Sequence, residues 1–218
     1  MSGFADRGPA GRGAVALTRK LPYWVLAALL AASCRAPAAG VGHGWSGSVI
    51  AEPVPAPTVI LTDTDGRHFD LGREALGRIT LLFFGYTTCP DICPVHMGTL
   101  GSAFQELEPE VRDQIRVVFV STDPERDTPE VLRAWLDGFD RSFVGLRGSL
   151  DDINGALAGL KLPGVAVMPS EHEGEMSLIG HPSAIVAFDR EGMARVRFPF
   201  GMRRSDWSRD LPRLVGEF

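Results

Sequence analysis

The stretch Ile79-Thr80-Leu81-Leu82-Phe83-Phe84-Gly85-Tyr86-Thr87-Thr88-Cys89-Pro90-Asp91-Ile92-Cys93-Pro94-Val95-His96-Met97 governs how the rest of the chain is read. The apolar run from Ile79 to Phe84 suits a strand buried on both faces, and it stops abruptly at Gly85. Two cysteines, two prolines, an aspartate and a histidine follow directly. This is a central strand that delivers a thiol pair to a surface turn.

Beyond the turn, Met97, Leu100, Phe104 and Leu107 recur every three to four residues and predict an amphipathic helix over about 94–108. Arg116 to Ser121 predicts a second central strand. Thr128 as N-cap and Pro129 at the first helical position open a helix that runs to Phe139. Phe143 to Leu146 predicts a shorter strand, and Ser149-Leu150-Asp151-Asp152 starts a helix that ends near Lys161. Periodicity dissolves between Leu162 and Gly180, where an exposed hairpin or loop is inserted. Ser183 to Asp189, the turn Arg190-Glu191-Gly192 and Ala194 to Phe198 read as strand, turn and strand, and Ser205 to Val215 as a closing helix. Ahead of the cysteine strand, Val59 to Thr62 and Arg67 to Leu71 flank the turn composition Asp63-Thr64-Asp65-Gly66 and predict a hairpin, with His68 an ordinary member of it. The order is α/β with mixed sheet direction. It is similar to a thioredoxin-like fold with an N-terminal β-hairpin extension and an inserted hairpin or loop before the last strands.

At 218 residues and 44% hydrophobic, the chain suits one domain, placed at 58–218, with ends left over. At the N-terminus, Arg7, Arg12, Arg19 and Lys20 precede the apolar segment from Leu21 to Ser33. That segment is short for a membrane helix and matches a signal-peptide core, so 1–33 is read as a signal peptide. Small residues running into Cys34 resemble a bacterial lipoprotein signal, with Cys34 as the lipidated first residue of the mature chain. An ordinary signal peptide or an uncleaved anchor is the alternative. Each version exports the domain to the periplasmic face of the bacterial cytoplasmic membrane. Residues 34–57, rich in Ala, Gly and Pro, read as a tether, and His43 within it as solvated. With a net charge of −5 and a leader that is itself basic, the domain is acidic and has no electrostatic footprint for nucleic acid. Proteins or metal ions are the expected partners.

Apart from Cys34, the cysteines are the pair Cys89 and Cys93. A bridge over three residues constrains little chain entropy, which favours a redox or metal role over stapling. Each cysteine precedes a proline, and the helix is expected to start near Pro94 with both sulfurs at its positive end. That position favours thiolate, the form that attacks disulfides and binds metals. Three intervening residues, Pro90, Asp91 and Ile92, still allow disulfide closure and also allow the pair to open around a metal. Thiolates select Cu(I), and an added imidazole lets the same site hold Cu(II). The candidate imidazoles are His96, three residues past Cys93, His172 in the acidic loop Glu171-His172-Glu173, and His181 just before the strand Ser183 to Phe188. In a thioredoxin-like topology the start of that strand faces the cysteine turn, which favours His181. Asp91 is read as a turn residue or a charge beside the thiolates, and Asp123 as a cap or brace of its loop. Met168, Met176 and Met193 are too scattered for a thioether site.

Gly85-Tyr86-Thr87-Thr88-Cys89-Pro90-Asp91-Ile92-Cys93-Pro94 resembles the signature of the Sco/SenC family of copper chaperones, and Ser121-Thr122-Asp123-Pro124-Glu125-Arg126-Asp127-Thr128-Pro129 resembles its second characteristic stretch. His181 sits where the family carries its metal histidine. The resemblance implies a thioredoxin-like copper protein with Cys89, Cys93 and His181 as ligands. It also implies a copper donor protein upstream and delivery to the binuclear copper site of cytochrome c oxidase subunit II, or to another cuproprotein. Reduction of that client's cysteines by the Cys89–Cys93 pair, as a thiol-disulfide oxidoreductase, is the alternative. Gly180 and Pro182 depart from the family's usual neighbours of the histidine. A proline at this strand start leaves open an arrangement with His181 turned away and the pair left to thiol exchange.

Overall fold

The computed structural model describes residues 44–168 and 178–218; the signal segment, Cys34, His43, His172 and Met176 lie outside the described residues. The elements begin with strands β1 (Ser48–Val49), β2 (Ile60–Asp63) and β3 (His68–Asp70), helix α1 (Leu71–Glu74) and strand β4 (Ile79–Gly85). Helices α2 (Ile92–Gln105) and α3 (Pro109–Arg112), strand β5 (Ile115–Ser121), helix α4 (Pro129–Asp137) and strand β6 (Val144–Arg147) follow. Helix α5 (Leu150–Gly159), strands β7 (Ala166–Met168), β8 (Leu178–Gly180), β9 (Ile185–Phe188) and β10 (Ala194–Phe198) and helix α6 (Arg204–Glu217) complete the chain.

Eight strands form one mixed sheet in the order β1-β10-β9-β4-β5-β6-β2-β3. Strands β4, β5 and β6 are parallel, β9 runs antiparallel to β4, and the hairpin β2–β3 joins antiparallel to β6. This is the expected mixed α/β sheet with its N-terminal hairpin. Strand β4 is apolar on both faces because both are covered. Leu81 and Phe83 meet Met97, Leu100, Leu132, Leu136, Trp207 and Leu211 on one side. Leu82 and Phe84 meet Leu71, Ile153, Leu157 and Phe188 on the other. The predicted insertion holds a separate two-stranded pair, β7 with β8. Parallel pairing of β4 with β5 sets Gly85 beside Ser121, and Thr122 N–H donates to Gly85 carbonyl at 2.7 Å. Two quoted stretches, Gly85 onward and Ser121 onward, therefore leave the sheet side by side.

Two boundaries differ from the sequence reading. The tether was placed over 34–57, yet its described part, 44–57, lies on the domain. Strand β1 pairs with β10, Ile50 N–H donates to Arg195 carbonyl, and Ala56 is buried. Trp45 stacks on Phe218 at 6.0 Å and lies under the Arg213 guanidinium at 4.0 Å. The free edge of β10 supplies the ordering that local composition does not. Helix α2 starts at Ile92, not near Pro94, because Asp91 caps it by accepting from Ile92 N–H at 2.6 Å. Pro94 then occupies the third helical position, where a missing N–H costs no intrahelical bond.

Candidate metal centre

Three elements converge at the C-terminal end of β4. The turn after β4 supplies Cys89, the first turn of α2 supplies Cys93, and the segment joining β8 to β9 supplies His181. His181 Nε2 stands 3.8 Å from Cys89 Sγ and 3.4 Å from Cys93 Sγ, and the three donor atoms all lie within 4.8 Å of one another. The other ring nitrogen, Nδ1, is 3.1 Å from Pro182 carbonyl, which assigns the proton to Nδ1 and leaves Nε2 as the free donor. A backbone acceptor behind the imidazole is the arrangement that orients metal-binding histidines. Pro182 therefore holds His181 toward the sulfurs instead of turning it away. Tyr86 at 5.5 Å and Phe83 at 6.0 Å pack edge-on against the imidazole.

Burial and mutual contact make the two thiols unequal. The Cys93 thiol beside Cys89 stabilises the Cys89 thiolate, and with Cys93 N–H at 3.5 Å and His181 nearby it overcomes burial and pulls Cys89 down to about 4. Cys93 is pushed up by the same contact with Cys89, then by burial. At neutral pH the Cys89 sulfur is a thiolate and Cys93, the more deeply buried of the two, a thiol. Space for the second sulfur comes from Gly85, where a Cβ would stand 2.5 Å from Cys93 Sγ.

The donor set fits a soft metal ion. Metal bonds of about 2.0–2.3 Å to imidazole nitrogen and thiolate sulfur give a trigonal set with edges of roughly 3.5–4 Å, close to the two sulfur–nitrogen separations here. Two thiolates and one imidazole are ligands for copper in either oxidation state.

The other candidate imidazole among the described residues, His96, lies elsewhere. His96 is fully buried one turn further along α2, among Phe83, Phe200 and Trp207 and beside the Ser183 backbone. Neither ring nitrogen has a hydrogen-bond partner of good geometry among the described residues. Burial lowers its pKa to about 4 from the ordinary 6.5. The unfolded chain thus binds a proton that the native state refuses between those values, so stability is full above 6.5 and falls as the pH drops toward 4. A loss approaching about 3 kcal/mol is expected across this window. Urea midpoints measured from pH 7 to 5 should decline in the wild type and flatten in His96→Leu. An equal decline in both would refute the assignment.

Asp91 acts as the cap of α2, and Asp123 is ion-paired with Arg126. The residue that braces the site is Asp127, which the sequence reading did not single out. Its carboxylate accepts from Thr87 N–H, Thr87 Oγ1 and Ser121 Oγ, tying the cysteine turn to the end of β5. Burial raises its pKa while those hydrogen bonds pull it back. Three acids within Asp123 to Asp127 were the available signal, and the sequence does not show which is buried.

Comparison with known proteins agrees with this geometry. A protein from Stutzerimonas stutzeri described as copper-binding is 32% identical over 160 residues, 73% of this chain and 76% of its own length. Mitochondrial protein SCO1 of Saccharomyces cerevisiae is 30% identical over 132 residues, 61% of this chain and 44% of that protein. The structure of Bradyrhizobium japonicum ScoI with copper bound superposes with a TM-score of 0.62 at 28% identity, covering 76% of this chain and 99% of that one. The thioredoxin-like architecture is thus shared with a solved copper-loaded relative. The SCO1/SenC family pattern matches residues 58–216, and the chain belongs to the SCO1/SenC family.

Proposed function

We propose that this chain is a copper metallochaperone, exported and held at the periplasmic face of the bacterial membrane. It takes copper from a donor protein and delivers it to the binuclear copper site of cytochrome c oxidase subunit II. The observation that carries the reading is the convergence of Cys89, Cys93 and His181, with donor atoms within 4.8 Å. Copper-bound relatives support it. No described helix is long and apolar enough to cross a membrane. Anchoring is assigned to the N-terminal signal segment or to a lipid on Cys34. The reduced protein is expected to take up about one copper ion per chain, and a Cys89→Ser/Cys93→Ser protein none. Equal uptake by the two proteins would remove the proposal.

The unequal thiols favour a second reading, a thiol-disulfide oxidoreductase acting on a cuproprotein's cysteines. The Cys89 thiolate attacks a client disulfide sulfur, and the client's leaving sulfur takes a proton. Cys93 then gives up its proton and attacks Cys89 in the mixed disulfide. The client leaves as a dithiol and Cys89–Cys93 remains as the disulfide, two electrons having passed to the client. Exchange with a model disulfide substrate should need both cysteines and tolerate loss of His181. Failure of the reduced pair to form a mixed disulfide would count against it.

A further inference from the structure

Asp127 is fully buried, yet no Lys, Arg or His pairs with it among the described residues; the nearby ion pair joins Arg126 to Asp123. All of its hydrogen-bond donors are neutral. Thr87 N–H reaches both carboxylate oxygens at 3.2 Å, and Thr87 Oγ1 and Ser121 Oγ each donate at 2.6 Å. Holding a turn to a strand end needs only an acceptor. A carboxylate buried without a cation costs far more than an amide at the same place. A cation held by Cys89 would lie close along the chain to Thr87, which stands two residues before that cysteine. The negative charge of Asp127 is felt at Cys93.

We infer that Asp127 is the buried counter-charge of the metal site and that it biases the site toward Cu(II) over Cu(I). The inference rests on the copper reading above. Whichever protons leave the ligands on binding, the two loaded states have the same ligand set and differ by one positive charge. A fixed negative charge at short range in a poorly screened interior stabilises the more positive state. Hydrogen bonds from Thr87 and Ser121 favour the ionised form against the effect of burial and point the carboxylate at the turn. Asp127 touches neither sulfur nor imidazole and is a positioning and charge-setting residue.

The test compares Cu(I) and Cu(II) affinities, by competition with oxidation-state-selective chelators, in the wild type, Asp127→Asn and Thr87→Lys. Asp127→Asn removes the charge while keeping an acceptor, and Thr87→Lys keeps the carboxylate but sets an ammonium beside it at a half-exposed position. Both should lower the ratio of Cu(II) to Cu(I) affinity about tenfold, which raises the one-electron midpoint potential by about 59 mV. Thr87→Val, which drops one hydroxyl donor but retains the backbone N–H and Ser121 Oγ bonds and adds no charge, should change the ratio far less than either. Equal changes for both ions in Asp127→Asn would show a brace only and overturn the inference. An unmoved ratio in Thr87→Lys would do so even where Asp127→Asn does not fold. Wild type that binds neither ion would overturn the copper reading itself, and the inference with it.

Discussion

A His181→Ala protein is expected to bind copper at least about 100-fold more weakly than the wild type. Even residues that only orient a ligand change metal affinity by 10–100-fold, and His181 presents its donor atom directly, 3.4 and 3.8 Å from the two sulfurs. Among the described residues, no neighbouring imidazole is placed to replace it. His96 packs on Phe83, as His181 does, with ring centroids at 5.3 Å and 6.0 Å, and it is fully buried. The loss should be larger for Cu(II), which prefers imidazole, than for Cu(I), which two thiolates still hold. Chelator competition under reducing and non-reducing conditions reads the two losses separately. His181 is half-buried, so thermal unfolding of the metal-free variant should stay near the wild type. Unchanged affinity in the variant would eliminate the three-ligand site, whereas unchanged thiol exchange is expected.

Gly85→Ala should damage both the fold and the site. A Cβ there would stand 2.5 Å from Cys93 Sγ and 3.0 and 3.1 Å from the Phe119 ring. Gly85 is the last residue of a fully buried strand and is held in register with Ser121, so the backbone cannot retreat. Cys93 Sγ must yield, and Cys93 sits on α2 with no exposed surface to move into. Overpacking of this kind costs about 1–3 kcal/mol. Shifted away from His181 Nε2, the sulfur would no longer complete the ligand triangle, and copper affinity should fall with stability. Gly98→Ala on α2 is the control, since a Cβ there meets nothing within 4 Å. Urea unfolding and chelator competition measure both effects. A Gly85→Ala protein matching wild type in each would refute the packing argument.

Much of this site was legible because its chemistry resides in residue types that serve few other purposes. Two cysteines after an apolar run, and a histidine at the head of a later strand, point to one place once the strand order is set. Asp127 was not legible, since nothing in Asp123-Pro124-Glu125-Arg126-Asp127 distinguishes the acid that turns inward from those that meet Arg126 or solvent. The start of α2 was missed by two residues because an Asp91 side chain outweighed the bias that proline imposes on its predecessor. Helices α1 and α3, four residues each, are too short to show a period. Residues 44–57 were read as tether because two-residue β1 takes its order from the edge of β10, a partner nearly 150 positions away in sequence.

Strand β1 also matters for what the sheet would do without it. The family match begins at residue 58, downstream of β1, and a protein cut there would leave the outer edge of β10 bare. An open edge is a template on which a second copy can add its own strand, the usual first step of sheet-to-sheet aggregation. The short segment with Trp45 pinned beneath Arg213 acts as a built-in guard rail for the sheet. Its removal would make solubility, before copper binding, the first property to suffer.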